Sequence, residues 1–132
     1  MKKIGILHAQ LSRIIASMGH GDMLVIGDAG LPVPPGVETV DLALVQGVPG
    51  FLETVAAVLR ELEVQEAIIG QEMAQVSPGM HQEFTGMWPQ AVPVRAVPHA
   101  EFKEITKKAR AVVRTGEFTP YSNIILVAGV LF

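Results

Sequence analysis

The strongest constraint on the fold is the alternation of two hydrophobic patterns along the 132 residues. Short apolar runs between turn residues predict buried strands, and apolar residues at helical spacing predict amphipathic helices. The predicted helices span residues 8–19, 48–64, 78–86 and 99–110. The predicted strands span residues 23–28, 37–45, 66–71, 92–97, 111–116 and 123–132. This alternation predicts a single three-layer α/β/α domain over residues 1–132, with a mainly parallel, mixed central sheet.

Local signals support several of the predicted helix boundaries. Ser77 followed by Pro78 is typical of an N-cap and a first helical turn. Pro49 is placed near the first turn of the second helix, where its missing N–H costs nothing. Lys107, Lys108 and Arg110 are predicted to lie in the last turn of the final helix, where cations complement the helix dipole.

Composition narrows the classes of function. Apolar residues make up 49% of the chain and the mean hydropathy is +0.39, so some apolar surface is expected to be buried between subunits. The net charge of −3, without a basic run, argues against nucleic-acid binding. The chain has no cysteine, which excludes thiolate chemistry. Neither a signal peptide nor a membrane span is predicted, so a cytoplasmic protein is expected.

Polar residues follow the predicted strands at the edge of the sheet where α/β proteins bind ligands. Asp28 follows the first strand, Gln46 the second, and Gln71 and Glu72 the third. A carboxylate accepts from hydroxyl groups, and amides both donate and accept, so this set suits a polyol. The alternative is that Asp28 only caps the loop that follows it.

His20 presents a geometric problem. At about 3.3 Å per residue, a strand over residues 23–28 spans roughly 17 Å, which places His20 and Asp28 of one subunit too far apart to touch one small substrate. Either the strand is shorter or bent, or the site is assembled from two subunits, and the apolar composition favours two subunits. The alternative for His20 is that it satisfies the last carbonyls of the preceding helix.

Other polar candidates lie near the end of the chain. His99 begins the last predicted helix, where the helix dipole favours a neutral imidazole, and Lys103 follows one turn later on the same face. Tyr121, Ser122 and Asn123 offer a phenol, a hydroxyl and an amide just before the final strand. The alternatives are ordinary polarity at a helix start for His99, a solvated side chain for Lys103, and turn formation for Ser122 and Asn123.

Motifs for the commonest cofactors are absent from the sequence. The four histidines show no paired metal-ligand spacing, so no metal is expected. There is no glycine-rich nucleotide fingerprint and no nucleophile elbow. We therefore expect no cofactor.

Long segments of the chain resemble the D-ribose pyranase family, whose relatives are the fucose mutarotases. The resemblance covers essentially the whole chain, and it is carried by "GHGDMLVIGDAGLPVP", "VPGFLETV", "HAEFKE" and "VVRTGEFTPYSNIILVAGVLF".

The resemblance implies a role for each matching residue. It implies that His20 is the proton donor and that Asp28 and His99 bind the substrate. It also implies substrate contacts, through backbone and side chains, at the adjacent residues Tyr121, Ser122 and Asn123. Lys103 is a further candidate from its position alone.

The implied reaction is the interconversion of the pyranose and furanose forms of ribose through the open-chain aldehyde. The family further implies a ring-shaped homo-oligomer, a decamer of two pentamers, acting in the cytoplasm beside a ribose transporter and a ribokinase. Three alternatives remain at this point. They are a mutarotase of another sugar such as fucose, a non-catalytic sugar-binding partner of ribose transport, and a purely structural ring.

Overall fold

The computed structural model describes residues 1–132 as one six-stranded sheet with five helices. The elements in chain order are α1 (Ala9–Ser17), β1 (Met23–Gly27), β2 (Glu38–Asp41), α2 (Phe51–Leu59), β3 (Val64–Gly70), α3 (Glu72–Val76), α4 (Pro78–Met87), β4 (Val94–Val97), α5 (His99–Thr106), β5 (Ala111–Arg114) and β6 (Ile124–Ala128). None of the helices is long and apolar enough to cross a membrane.

The sheet is mixed and mainly parallel, as predicted. Its strand order is β2-β5-β1-β6-β3-β4, and β6 runs antiparallel to both of its neighbours. The other five strands point the same way because β1 and β2 run parallel to β5, and β3 runs parallel to β4. We call the edge where these five strands end and β6 begins the carboxyl edge, and the opposite edge the amino edge.

Helices cover both faces of the sheet, which confirms the three layers. Leu24 and Ile26 of β1 belong to a 21-residue core cluster that includes side chains of α1, α2, α3 and α4. Val25 faces the other way, into a 7-residue cluster with Phe102 of α5. Alternate residues of one strand therefore reach two separate cores, which is why these strands are apolar without interruption.

The predicted second strand is too long. β2 ends at Asp41 because its only partner, β5, ends at Arg114, the residue opposite Asp41. The N–H of Leu42 still donates to the Arg114 carbonyl at 2.9 Å, and the chain then turns back over residues 44–48. Gly47 makes this turn possible with a φ of +82°.

Two predicted elements near the C-terminus also extend too far. The last helix ends at Thr106, because the N–H of Arg110 already donates to Met23 at 2.9 Å where the chain enters the sheet beside β1. β6 ends at Ala128, which pairs with Val64, the first residue of β3. No strand extends beyond that point, so residues 130–132 are exposed.

Two helix starts differ in detail from the prediction. α2 begins at Phe51 with Gly50 as its N-cap, so Pro49 precedes the helix. α4 begins at Pro78 after Ser77, as predicted, but the Ser77 hydroxyl makes no capping bond and donates to the Pro120 carbonyl at 2.7 Å. The short helix α3 was not predicted, because its five residues show no complete amphipathic repeat.

Candidate active site

Four of the predicted site residues meet at the carboxyl edge. Asp28, His99, Tyr121 and Asn123 line one cavity of about 280 Å³. Its wall is completed by Gly30, Leu31, Pro32 and Pro120. Sequence reasoning did not identify these four, since glycine, leucine and proline carry no sign of ligand binding and only the fold brings them to the cavity.

The end of β1 and the start of β6 are tied together beneath the cavity. The side-chain oxygen of Asn123 accepts from the Asp28 N–H at 2.9 Å, and the Asp28 carboxylate accepts from the Gly30 N–H at 3.0 Å. Gly27 permits this packing, because a Cβ there would lie 2.9 Å from the Asn123 oxygen and 2.6 Å from Leu31. The amide and the carboxylate are therefore held in fixed positions relative to each other.

The fold changes the proton affinity of the Asp28 carboxyl. Burial raises its pKa above the ordinary value, although hydrogen bonds from Gly30 and Asn123 and the nearby His99 act in the opposite direction. A partly desolvated carboxylate gains from hydroxyl donors that replace the lost water. A polyol supplies such donors.

Aromatic rings hold the imidazole of His99. Its ring stacks on Phe102 at 6.1 Å between centroids, and it meets Tyr121 edge-on at 5.0 Å. Tyr121 adopts a left-handed φ of 62°, a conformation that is uncommon outside glycine and that occurs in turns and clusters at functional sites. Pro120, just before it, accepts the hydrogen bond from Ser77, so the loop that carries Tyr121 is anchored to the start of α4.

A second cavity of about 430 Å³ adjoins the first and shares Asp28, Gly30 and Pro120 with it. Its two further charges already have partners within the chain. Arg114 donates to both oxygens of Asp41 at 3.1 Å and to the Ala29 carbonyl at 3.0 Å.

The carboxylate of Glu117 in this second cavity is also engaged, since it accepts from the N–H of Phe51 and from Thr119. Burial opposes its ionisation, but these hydrogen bonds outweigh that effect and hold the pKa of Glu117 below its ordinary value. The two charged groups that line only the larger cavity, Arg114 and Glu117, are therefore both engaged within the chain.

His20 lies at the opposite edge of the sheet. It precedes β1 at the amino edge, is exposed, and its Nε2 lies 2.8 Å from the side-chain oxygen of Gln65 at the start of β3. The whole length of β1 separates it from Asp28. The strand is neither short nor bent enough to bring the two residues to one pocket of the same chain.

The remaining candidates do not line the cavity of about 280 Å³. Ser122 is fully buried and its hydroxyl has no hydrogen-bond partner. Lys103 and Gln46 are exposed, and Glu72 bonds to the backbone N–H of His99 at 3.1 Å. No group of three or more His, Cys, Asp or Glu side chains is arranged to hold a metal ion.

Comparison with known proteins identifies the family. A model of the RbsD / FucU transport protein family matches residues 1–131. The chain belongs to this family. Two RbsD/FucU relatives, both named D-ribose pyranase, match over the full length of each chain. The one from Laribacter hongkongensis is 52% identical and the one from Halalkalibacterium halodurans is 47% identical.

Solved structures of other proteins show the same fold. Bacillus subtilis RbsD, complexed with D-ribose, is 45% identical and superposes with a TM-score of 0.95 over all of both chains. The fucose mutarotase of Streptococcus pneumoniae, complexed with L-fucose, is 24% identical with a TM-score of 0.74, covering 96% of this chain and 95% of its own. At that identity the second likeness concerns the fold alone.

Proposed function

We propose that this protein is a D-ribose pyranase, an isomerase that interconverts the pyranose and furanose forms of ribose. The observation that carries the proposal is the convergence of a carboxylate, an imidazole, a phenol and an amide on one small cavity. Its volume of about 280 Å³ falls just below the roughly 300–1,000 Å³ typical of pockets for drug-sized ligands, which suits a monosaccharide.

The relatives support the choice of sugar. Proteins named D-ribose pyranase match this chain from end to end, at identities of about half. The Bacillus subtilis protein of the same fold is complexed with D-ribose. The sequence segments that carry the cavity residues are the same segments on which the resemblance to pyranases rests.

The chemistry requires only proton transfers. Ring opening removes the proton from the anomeric hydroxyl, delivers a proton to the ring oxygen, and breaks the bond between that oxygen and the anomeric carbon, which leaves an aldehyde. Closure by a different hydroxyl reverses these steps. An imidazole has one nitrogen that can donate a proton and one that can accept it, so His20 can give and take back the ring-oxygen proton. Asp28, His99, Tyr121 and Asn123 hold the sugar hydroxyls.

His20 must then act in the cavity of a neighbouring subunit. In its own chain it lies at the amino edge, whereas the cavity lies at the carboxyl edge. Contact between the amino edge of one copy and the carboxyl edge of the next is heterologous, and heterologous contacts generate a ring when the rotation between copies closes. A homodecamer of two pentameric rings is the assembly we propose.

The proposed setting is the cytoplasm, beside a ribose transporter and a ribokinase. Spontaneous ring exchange limits how quickly one form of ribose replaces another. An isomerase therefore supplies whichever ring form the next reaction consumes.

Saturation-transfer NMR on D-ribose tests the activity. We expect the wild-type protein to transfer saturation between pyranose and furanose signals, and His20→Gln to bind ribose while exchanging it about 10²–10⁴-fold more slowly. His81→Gln is the matched control, because His81 is on α4 and lines a different cavity, away from Asp28.

Other results identify the alternative functions. Exchange of L-fucose anomers without ribose ring exchange would indicate a mutarotase of another sugar. Ribose binding with no exchange by the wild-type protein would indicate a non-catalytic binding protein. Unchanged exchange in His20→Gln would remove His20 from the mechanism.

A further inference from the structure

Glu72 occupies a position that neither the sequence resemblance nor the proposed reaction explains. It is the first residue of α3, directly beyond the carboxyl end of β3. β3 pairs with β4 so that Gly70 lies opposite Val97, and the N–H of Gln71 donates to the Val97 carbonyl at 2.8 Å. This pairing brings Glu72 beside the residue that begins α5, His99.

One carboxylate oxygen of Glu72 holds the start of α5. The N-cap of α5 is Pro98, which provides no side-chain capping bond. The first N–H groups of a helix need acceptors, and Oε1 of Glu72 accepts from the His99 N–H at 3.1 Å. Glu72, a residue of α3, thus supplies the capping acceptor that Pro98 does not provide for α5.

The other oxygen of Glu72 has no partner. Oε2 is buried and makes no hydrogen bond within the chain. Leaving a buried acceptor unsatisfied costs about 1–3 kcal/mol, and more when the group is charged. A donor is therefore expected to reach it in the working protein.

The ring of His99 offers a donor on the same side of Gly70 as this oxygen. Oε2 lies 3.2 Å, and Nδ1 of His99 3.8 Å, from the point where a Cβ on Gly70 would be. Because Gly70 has no side chain, the space between the carboxylate and the imidazole is open. Phe102 and Tyr121 pack against the ring of His99. The hydrogen-bond partners of its two nitrogen atoms then decide which nitrogen carries the proton.

Resting on the function proposed above, we propose that Glu72 is a positioning residue for His99. It accepts from Nδ1–H of His99, directly or through one water molecule, so that Nε2 is the unprotonated nitrogen. Nε2 then accepts a hydrogen bond from a sugar hydroxyl in the cavity that His99 lines. A carboxylate on one imidazole nitrogen commonly selects the tautomer in this way.

The test is the side-chain tautomer of His99, measured by long-range ¹H–¹⁵N NMR at a pH where the ring is neutral. We expect Nδ1–H in the wild-type protein. Glu72→Gln keeps an acceptor for the His99 N–H but presents an NH₂ donor to Nδ1, so we expect the tautomer to change to Nε2–H. The sugar hydroxyl then loses Nε2 of His99 as its acceptor. We therefore expect KM for ribose to rise about tenfold, with a smaller change in kcat.

Glu101→Gln is the matched control, because Glu101 is an exposed carboxylate in the first turn of the same helix that bonds weakly to Arg95 instead. It should change neither the tautomer nor KM. An Nε2–H tautomer in the wild-type protein would overturn the proposal, even if Glu72→Gln fails to fold. The proposal would also be overturned if Glu72→Gln showed the same His99 tautomer and the same KM as Glu101→Gln. The tautomer measurement needs no sugar, so absence of ribose exchange would contradict the proposed function without deciding the role of Glu72.

Discussion

The carboxylate of Asp28 is held in the folded protein at a cost to stability. It lies half-buried at the end of β1, accepts one hydrogen bond from Gly30, and is not paired with a cation at salt-bridge distance. Its raised pKa means that the folded state holds its proton more tightly than the unfolded state does. Stability therefore falls as pH rises from the ordinary pKa through the raised one, and the loss persists above that range.

Asp28→Asn should separate binding from stability. We expect ribose affinity to fall by about 1.5–3 kcal/mol, or roughly ten- to a hundredfold in Kd, because a charged acceptor is lost. Thermal stability at neutral pH should stay the same or rise, since the amide has no ionisation to lose and still accepts from Gly30. Calorimetry of ribose binding and thermal melts at several pH values measure both.

The pH dependence provides the check on this interpretation. The difference in melting temperature between Asp28→Asn and wild type should be smallest in acid, where Asp28 is protonated in both states, and should favour the variant as the carboxyl ionises. A variant that is less stable than wild type by the same amount at every pH would show that Asp28 supports the fold instead.

Among the structural elements, the loop between β2 and α2 depends on close approach to the loop after β5. The N–H of Gly47 donates to Gly116 at 2.6 Å, and the N–H of Gly116 donates to Pro49 at 2.9 Å. A Cβ at Gly116 would lie 2.6 Å from the carbonyl oxygens of Val45 and Val48, which is too close for a real contact. Since these oxygens belong to the backbone, relieving the contact would require the loop itself to shift.

Gly116→Ala should therefore destabilise the protein. We expect a loss of about 1–3 kcal/mol in the free energy of unfolding, the usual range for overpacking, measured by the urea midpoint. Gly79→Ala is the matched control, because no atom lies within 4 Å of the point where its Cβ would be, and its position in α4 favours alanine. Equal midpoints for the two variants would contradict the close-approach argument.

The errors at the ends of the predicted strands β2 and β6 share one cause. The sequence patterns identified where strands and helices lie, because they report which residues are buried. They did not identify where β2 and β6 end, since a strand stops where its neighbour stops, at Arg114 for β2 and at Val64 for β6. The partner of a strand is distant in sequence, so no local pattern contains this information.

At the scale of the whole molecule, apolar side chains are exposed at both edges of the sheet. Leu131 and Phe132 extend from the amino edge, and Val45 and Phe118 lie in loops at the carboxyl edge. Packing of another copy on these edges would remove this apolar surface from water. Their positions fit the proposed contact in which one copy brings His20 to the cavity of the next.

Mixing subunits tests this shared site. Chains with His20→Ala and chains with Asp28→Ala are each expected to be inactive alone. In a random mixture, about one quarter of the composite sites would combine an intact His20 from one chain with an intact Asp28 from its neighbour. Ribose exchange should therefore reappear after the two are dissociated and reassembled together. Native mass spectrometry shows whether mixed oligomers have formed, and mixed oligomers without exchange would rule out a shared site.

By itself, the sequence determined the layered α/β fold and the position of Asp28 at a strand end, because burial patterns are local properties. It left open whether the strand was short or bent enough to bring His20 to Asp28, and the structure decided that it is not. Only the tertiary structure decided that Asn123 and Tyr121 reach the same cavity as Asp28. They do so because β6 enters the sheet antiparallel beside β1, which places its first residues at the carboxyl edge. The hydrogen bond between Glu72 and His99 likewise depends on the pairing of β3 with β4, which joins residues distant along the chain.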